Sequence, residues 1–392
     1  MLNTSVSPWP VFSEDERQAV EAVLKTGRVN YWTGNEGRAF EREFADAIGT
    51  RYAVAVANGT VALDLALKAL SIGPGDEVVV TPRTFIASVS CVVNTGAVPV
   101  FADVDRDSGN ITAATVEPVL SSRTKAIIAV HLAGWPTDVD ALTDLAAPRG
   151  IAVIEDCAQA HGARLRGRAV GSLGTIGAWS FCQDKIMTTG GEGGMVTTND
   201  ADLWAKMWSF KDHGKSWEAV YERQHPPGFR WVHDSFGTNW RMLEVQAAIG
   251  RVQLRMLPDW TRARAEAAAR YQAAVARFPQ ALRAPTPGPD HTHAYYRFYC
   301  YVRPEGLRSD WTRDRIVAEV NARGVPLFHG SCSEVYLEKA FAGTGWAPAQ
   351  RLPVARELGE TSLMFLTHPT LEPDEIDRIA TMFEEVMAQA AS

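Results

Sequence analysis

Between residues 53 and 200 the apolar positions alternate between two patterns. Short runs rich in β-branched residues read as strands: EVVVT (77–81), AVPVFADV (97–104), KAIIAVH (125–131), IAVIED (151–156), AWSF (178–181) and GMVTT (194–198). Stretches with apolar residues at helical spacing, and polar turns, separate them. Strands alternating with helices imply a mostly parallel sheet covered on both faces, an α/β architecture. After residue 250 the character changes. A helical segment rich in Ala and Arg (262–277) leads to the proline-rich APTPGPD and the aromatic strand AYYRFYCYV. A helix RDRIVAEVNARG stopped by Gly324 and a strand VPLF follow. A last helix is predicted over 373–390, with Ile376, Ile379, Met382, Phe383, Val386 and Met387 as its core stripe. The expected organisation is a large domain over 1–255 and a smaller C-terminal α+β domain over 256–392. A 392-residue chain is too long for one simple core. Neither an internal repeat nor a low-complexity tract is present.

Composition narrows the partners. With 46% hydrophobic and 22% charged residues the chain can bury enough apolar surface to fold as a globular protein. A net charge of −7 without a long basic run argues against a nucleic-acid partner and for a small-molecule ligand. The N-terminal MLNTSVSPWPVFSEDE has neither a basic start nor an apolar core, and no apolar run approaches the roughly 18 residues of a membrane helix. A cytoplasmic protein is expected. Cys91, Cys157, Cys182, Cys300 and Cys332 are scattered without a C-x-x-C pair, so reduced thiols are expected and no metal site is indicated.

In parallel sheets ligands bind beyond the carboxyl ends of the strands, which directs attention to polar residues just after apolar runs. Asn58–Thr60, Asp156 and Ser180 all stand there. In ANGTVALDLALKAL a strand gives way to an apolar helix, aiming amides and the positive end of a helix dipole at whatever lies in front. An anion fits, and so does a plain helix cap by Asn58 or Thr60. The motif is neither the G-x-G-x-x-G of dinucleotide folds nor an NTPase P-loop. IAVIEDCAQAHGA ends a buried strand in Glu155 and Asp156, and a carboxylate there must be paired, hydrated or used. Capping the next turn is one use; holding a proton on a heterocyclic nitrogen is another. Gln159 and His161 are further polar candidates. SFCQDKIMTTGGEGG sets Lys185 after a strand and before glycines that allow close backbone approach. A lysine there is an ordinary exposed cation or a Schiff-base amine. Phosphate cradle, ring-directed acid and amine together are what pyridoxal phosphate requires. Finally, GTNWRMLEVQAAIGRVQLRML reads as a turn leading into an amphipathic helix.

In this order, the motifs resemble the DegT/DnrJ/EryC1/StrS sugar aminotransferases, of the aspartate-aminotransferase-like PLP-dependent transferase fold type I. The likeness runs from TGNEGRAFEREFADAIGTRYAVAVANGTVALDLAL through GDEVVVTPRTFIAS, HLAGWPTDVDAL, EDCAQAHGA, SFCQDKIMTTGGEGGMVTT and TNWRMLEVQAAIGRVQL to HAYYRF. The resemblance implies that Lys185 carries pyridoxal 5′-phosphate (PLP) and that Asp156 faces its ring nitrogen. It further implies that Gly59, Thr60 and Ser180 cradle the phosphate, that Phe85 stacks on the ring and that Gln159 contacts it. Asn239 would reach the phosphate from a neighbouring subunit, making a homodimer the smallest complete enzyme. The implied reaction is a ping-pong transfer of nitrogen from L-glutamate to a nucleotide-linked keto-deoxysugar, without a metal. His329, Tyr31, Lys215 and Arg241 are the substrate-binding candidates, with Trp32 beside Tyr31. His329 is equally a satisfied loop histidine, and either cation equally one half of an ion pair. The stretch GSCSEVYLEKAF departs from the family's shorter loops and leaves the acceptor open. A cyclitol aminotransferase, a sugar dehydratase, a non-catalytic PLP-binding regulator and a PLP-free nucleotide-binding protein are the rivals. Lys185 counts against the dehydratase, since such relatives carry His in its place.

Overall fold

The computed structural model describes residues 6–392. Among them, one sheet of seven strands comprises β1 (Tyr52–Val56), β2 (Glu77–Val80), β3 (Val98–Phe101), β4 (Thr124–Val130), β5 (Ala152–Asp156), β6 (Ile176–Ser180) and β7 (Gly194–Thr198). Their spatial order is β1-β7-β6-β5-β4-β2-β3. Strands β3, β2, β4, β5 and β6 pair in parallel, and β7 is antiparallel to both of its neighbours. The apolar runs lack alternation because both faces are covered. Val78 and Val80 enter one core with Leu63 and Leu67 of the helix Gly59–Ala69, while Val79 enters another with Leu142 of the helix Val139–Ala146. Strands β1 and β6 both oppose β7, so they point the same way as β5. The residues at or just beyond their carboxyl ends, Asn58, Ser180 and Asp156, therefore collect at one edge of the sheet.

The change of composition after residue 250 falls inside a single helix, Glu244–Val275, which runs through position 255 and accommodates Pro258. Its first half packs on the helix Glu36–Ile48; Ala267, Ala268, Tyr271 and Ala274 of its second half belong to the core of the C-terminal region. There, Leu282–Arg283, Arg297–Val302 and Ser362–Leu366 form an antiparallel sheet. The last helix spans Pro373–Ala390, with Ile379, Phe383, Val386 and Met387 buried as the spacing predicts and Ile376 and Met382 at the margin of that core. VPLF forms no strand. The Asn321 amide accepts from the Leu327 N–H at 3.2 Å and donates to its carbonyl at 2.9 Å, occupying the groups a ladder would need. Only an isolated bridge from Phe328 to Met364 remains. No described helix is long and apolar enough to cross a membrane.

Candidate active site

A cavity of about 650 Å³ opens at the edge where the strand ends converge. Gly59, Thr60, Asp156 and Ser180 line it, as do Phe85, Gln159 and Lys185. In its floor, Asn58 caps the helix Gly59–Ala69, accepting from the Val61 N–H at 3.0 Å. The amides of a helix's first turn have no acceptor within the helix, so this end offers donors and positive potential to an anion. Two glycines make the approach possible. A Cβ on Gly59 would lie 2.4 Å from Cβ of Ser180, and one on Gly194 would lie 2.3 Å from the carbonyl oxygen of Asn58.

Asp156 is a buried residue of the same lining. Its Oδ2 accepts from Ser88 Oγ at 2.7 Å and its Oδ1 from the Ala158 N–H at 3.1 Å, which fixes the carboxylate and leaves lone pairs for a donor in the cavity. Gln159 accepts from the Ala133 N–H at 2.7 Å through Oε1, which orients the amide and leaves its N–H donors for the cavity. Phe85 is 68% exposed at the mouth, a large ring with an open face.

The Lys185 side chain is 16% exposed; its Nζ lies 3.8 Å from Oδ1 of Asp184 and 5.2 Å from the ring centroid of Tyr296. Burial alone would push this amine down, but the Tyr296 phenol, Asp184, Cys182 and Asp156 outweigh it and hold the pKa above the ordinary lysine value. Tyr296 also donates from its hydroxyl to Asp184. Neither Ser88 nor Tyr296 stands out in the sequence as a site residue. Ser88 is one helical turn beyond Phe85, a spacing that signals a shared face; Tyr296 is far along the chain, and only HAYYRF hints at it.

Residues 10–384 match the DegT/DnrJ/EryC1/StrS aminotransferase family. The chain belongs to that family. It is a PLP-dependent aminotransferase with the α/β fold of this enzyme class. A solved aminotransferase from Psychrobacter cryohalolentis is 59% identical over 98% of this chain and 99% of its own, with a TM-score of 0.97. GDP-perosamine synthase of Caulobacter vibrioides is 37% identical over 384 residues, 96% of this chain and 97% of that protein. A UDP-N-acetyl-3-dehydro-alpha-D-glucosamine 3-aminotransferase from Acidithiobacillus ferrooxidans is 37% identical over 360 residues, 90% of this chain and 89% of its own.

The aminotransferase's cavity fits PLP by its donor set. The helix's first-turn amides and the Thr60 and Ser180 hydroxyls offer donors that suit a phosphate, and the same lining holds a fixed carboxylate in Asp156, an amine in Lys185 and an exposed aromatic ring in Phe85. Other sequence candidates lie elsewhere in the subunit. Tyr31 is 2% exposed: its hydroxyl donates to Glu41 at 2.8 Å and its ring covers the Lys211 ammonium at 3.9 Å, so it packs and does not line the cavity. Lys215 pairs with Asp212 at 3.2 Å and sits 3.8 Å over the ring of Trp32, and Arg241 pairs with the same buried Asp212. His329 is solvent-facing, 3.2 Å from Asp314. Asn239 is exposed beside Asp212 and outside its own chain's cavity. His161 is buried against Trp179 and Phe181, and burial, then Lys185 and Arg264, drive its pKa down to about 3. It is a neutral core residue, not a cavity contact. Glu155 likewise turns away, accepting from the amides of Gly171, Leu173 and Gly174 and pairing with His131 at 3.1 Å.

Proposed function

We propose that this aminotransferase moves an amino group from L-glutamate to a keto-deoxysugar linked to a nucleoside diphosphate, by a ping-pong cycle. The observation that carries the reading is the convergence of Lys185, Asp156 and the Gly59 helix end on one cavity. The acceptor class rests on two relatives, one named for a GDP-linked and one for a UDP-linked sugar, each matching about nine-tenths or more of this chain. That they differ in nucleotide is why the reading names the diphosphate and leaves the base open.

Bound PLP would supply an electron-accepting ring that makes the proton on the nitrogen-bearing carbon removable. Lys185 would hold the cofactor and, once displaced by the incoming amine, carry that proton between carbon atoms. Asp156, fixed by Ser88 and Ala158, would keep the ring nitrogen protonated. Gly59, Thr60 and Ser180 would keep the phosphate in place through both halves of the cycle, Phe85 would orient the ring, and Gln159 would contact the ring's face or its phenolic oxygen. In the homodimer this reading includes, Asn239 of each subunit would complete the other's phosphate site. His329, Lys215 and Arg241 remain the groups proposed for the acceptor, and the cytoplasm the proposed compartment.

The test assays glutamate with a panel of nucleotide-linked keto sugars and free keto-inositols, and maps the borohydride-fixed adduct by mass spectrometry. Turnover of a nucleotide-linked acceptor, with the adduct on Lys185 and none in Lys185→Ala, is the expected result. Turnover of the free keto-inositol alone would favour the cyclitol enzyme; an adduct on another residue would remove the mechanism.

A further inference from the structure

The carbonyl of Lys185 is held by a residue from the other end of the chain. Trp9 Nε1 donates to Lys185 O at 2.9 Å. The indole is itself locked: Trp260 meets it edge-on at 5.2 Å between centroids, His368 stacks on it at 6.3 Å and 14°, and the Arg264 guanidinium lies 5.4 Å over its face. On the amino-terminal side, Pro8 O accepts from Thr370 Oγ1 at 2.7 Å, the Ser7 N–H donates to Glu375 at 2.7 Å, and Val6 packs into the core of the C-terminal region. Residues 6–9 thus form a strap from the small sheet's core to the main chain of the lysine. The Lys185 N–H bonds to Cys182 O at 3.1 Å, and the buried residues that follow are held in turn, Thr188 by Gln253 and Phe181, so the Trp9 N–H completes a framework that fixes the lysine's main chain on both sides.

We infer that Trp9 is a positioning residue for Lys185: through its indole N–H, the strap sets where the lysine's main chain sits relative to the cavity. The inference rests on the proposed attachment of PLP to Lys185. An amine that must leave the cofactor, move a proton and return depends on a fixed base for its side chain, and an error of an ångström in such a base is costly in rate.

Trp9→Phe keeps an aromatic ring and removes the N–H. The holoenzyme, Trp9→Phe, Thr370→Val and Ile151→Val are compared in three ways: the pH titration of the cofactor's visible band, the rate of cofactor release on dilution, and kcat and KM. Ile151→Val, a buried change just before β5 in a core that holds no strap residue, gives the effect of lost stability alone. Trp9→Phe is expected to shift the titration midpoint, speed cofactor release and lower kcat by about three- to tenfold, with acceptor KM within about twofold, as one lost hydrogen bond implies. Thr370→Val, which frees the strap from its second anchor, is expected to move the same readouts less and in the same sense. If both variants match Ile151→Val at equal loss of Tm, the inference is overturned. If Trp9→Phe does not fold, Thr370→Val decides alone. The borohydride adduct is mapped in the unsubstituted protein: an adduct away from Lys185 sinks the cofactor attachment itself, whereas an adduct on Lys185 with an inert strap sinks only the role of Trp9.

Discussion

Glu155 and Asp156 are neighbours at the end of β5, and the period-two alternation of a strand sends their side chains to opposite sides. Glu155 meets three backbone amides and His131; Asp156 meets Ser88, the Ala158 amide and the cavity. One is structural and the other is available for chemistry, although the two are equivalent in composition. The same resolution applies at Lys185, whose raised pKa makes it an ammonium at neutral pH, a charge it must lose for the proposed attachment of PLP there. Only the unprotonated amine attacks an aldehyde, so cofactor loading of the stripped protein should accelerate steadily from pH 7 to 9. Removing the neighbouring charge by Asp184→Asn lowers the amine's pKa and should make loading at pH 7.5 faster than in the unaltered protein. Stopped-flow absorbance of PLP binding measures both; slower loading by Asp184→Asn would show that the carboxylate does not govern this amine.

The helix Gly59–Ala69 does two jobs with one set of residues. Its apolar side, with Leu63, Leu65 and Leu67 buried, anchors it to the sheet, and its capped first turn faces the cavity. Gly59 is where these demands meet, because β6 passes so near that a Cβ would collide with the backbone and side chain of Ser180. Gly59→Ala therefore pushes the helix end away from β6. The expected cost is about 1–3 kcal/mol of stability, as for other overpacked positions, together with weaker PLP retention. Thermal melts with and without PLP separate the two effects: a melt lowered equally in both forms would show that the helix end does not bind the phosphate. A few elements were not legible. VPLF has a strand's composition, but the Asn321 amide takes its backbone groups from another element.

For the whole molecule, the segment after the helix Trp217–Tyr221 carries Phe229, Trp231 and Phe236 at 72%, 78% and 99% exposure, rings that this chain leaves in water. Asn239 lies at the end of the same segment. If Asn239 serves the neighbouring subunit, a mixture of Lys185→Ala and Asn239→Ala subunits should regain activity that neither variant has alone. In each mixed dimer one site then has an intact lysine and an intact asparagine. Refolding the two variants together and assaying turnover tests this; no recovery would place Asn239 in its own chain's chemistry or outside the site altogether.

The sequence by itself determined the strands of the large sheet, most of the helices and the residues at those strand ends, because burial on both sheet faces writes continuous apolar runs and a helix start writes its cap. It determined the family too, since the motifs keep their order over nearly the whole chain. Only the tertiary structure decided which polar residues share a space. Tyr31, Lys215 and Arg241 found partners inside the subunit in Glu41, Asp212 and a neighbouring ring, while Ser88, Tyr296 and Trp9 were drawn to the lysine and its carboxylate partners. Period and composition are local properties, read along one chain. A hydrogen bond between positions 9 and 185 is a property of how distant segments pack, and no local pattern encodes it.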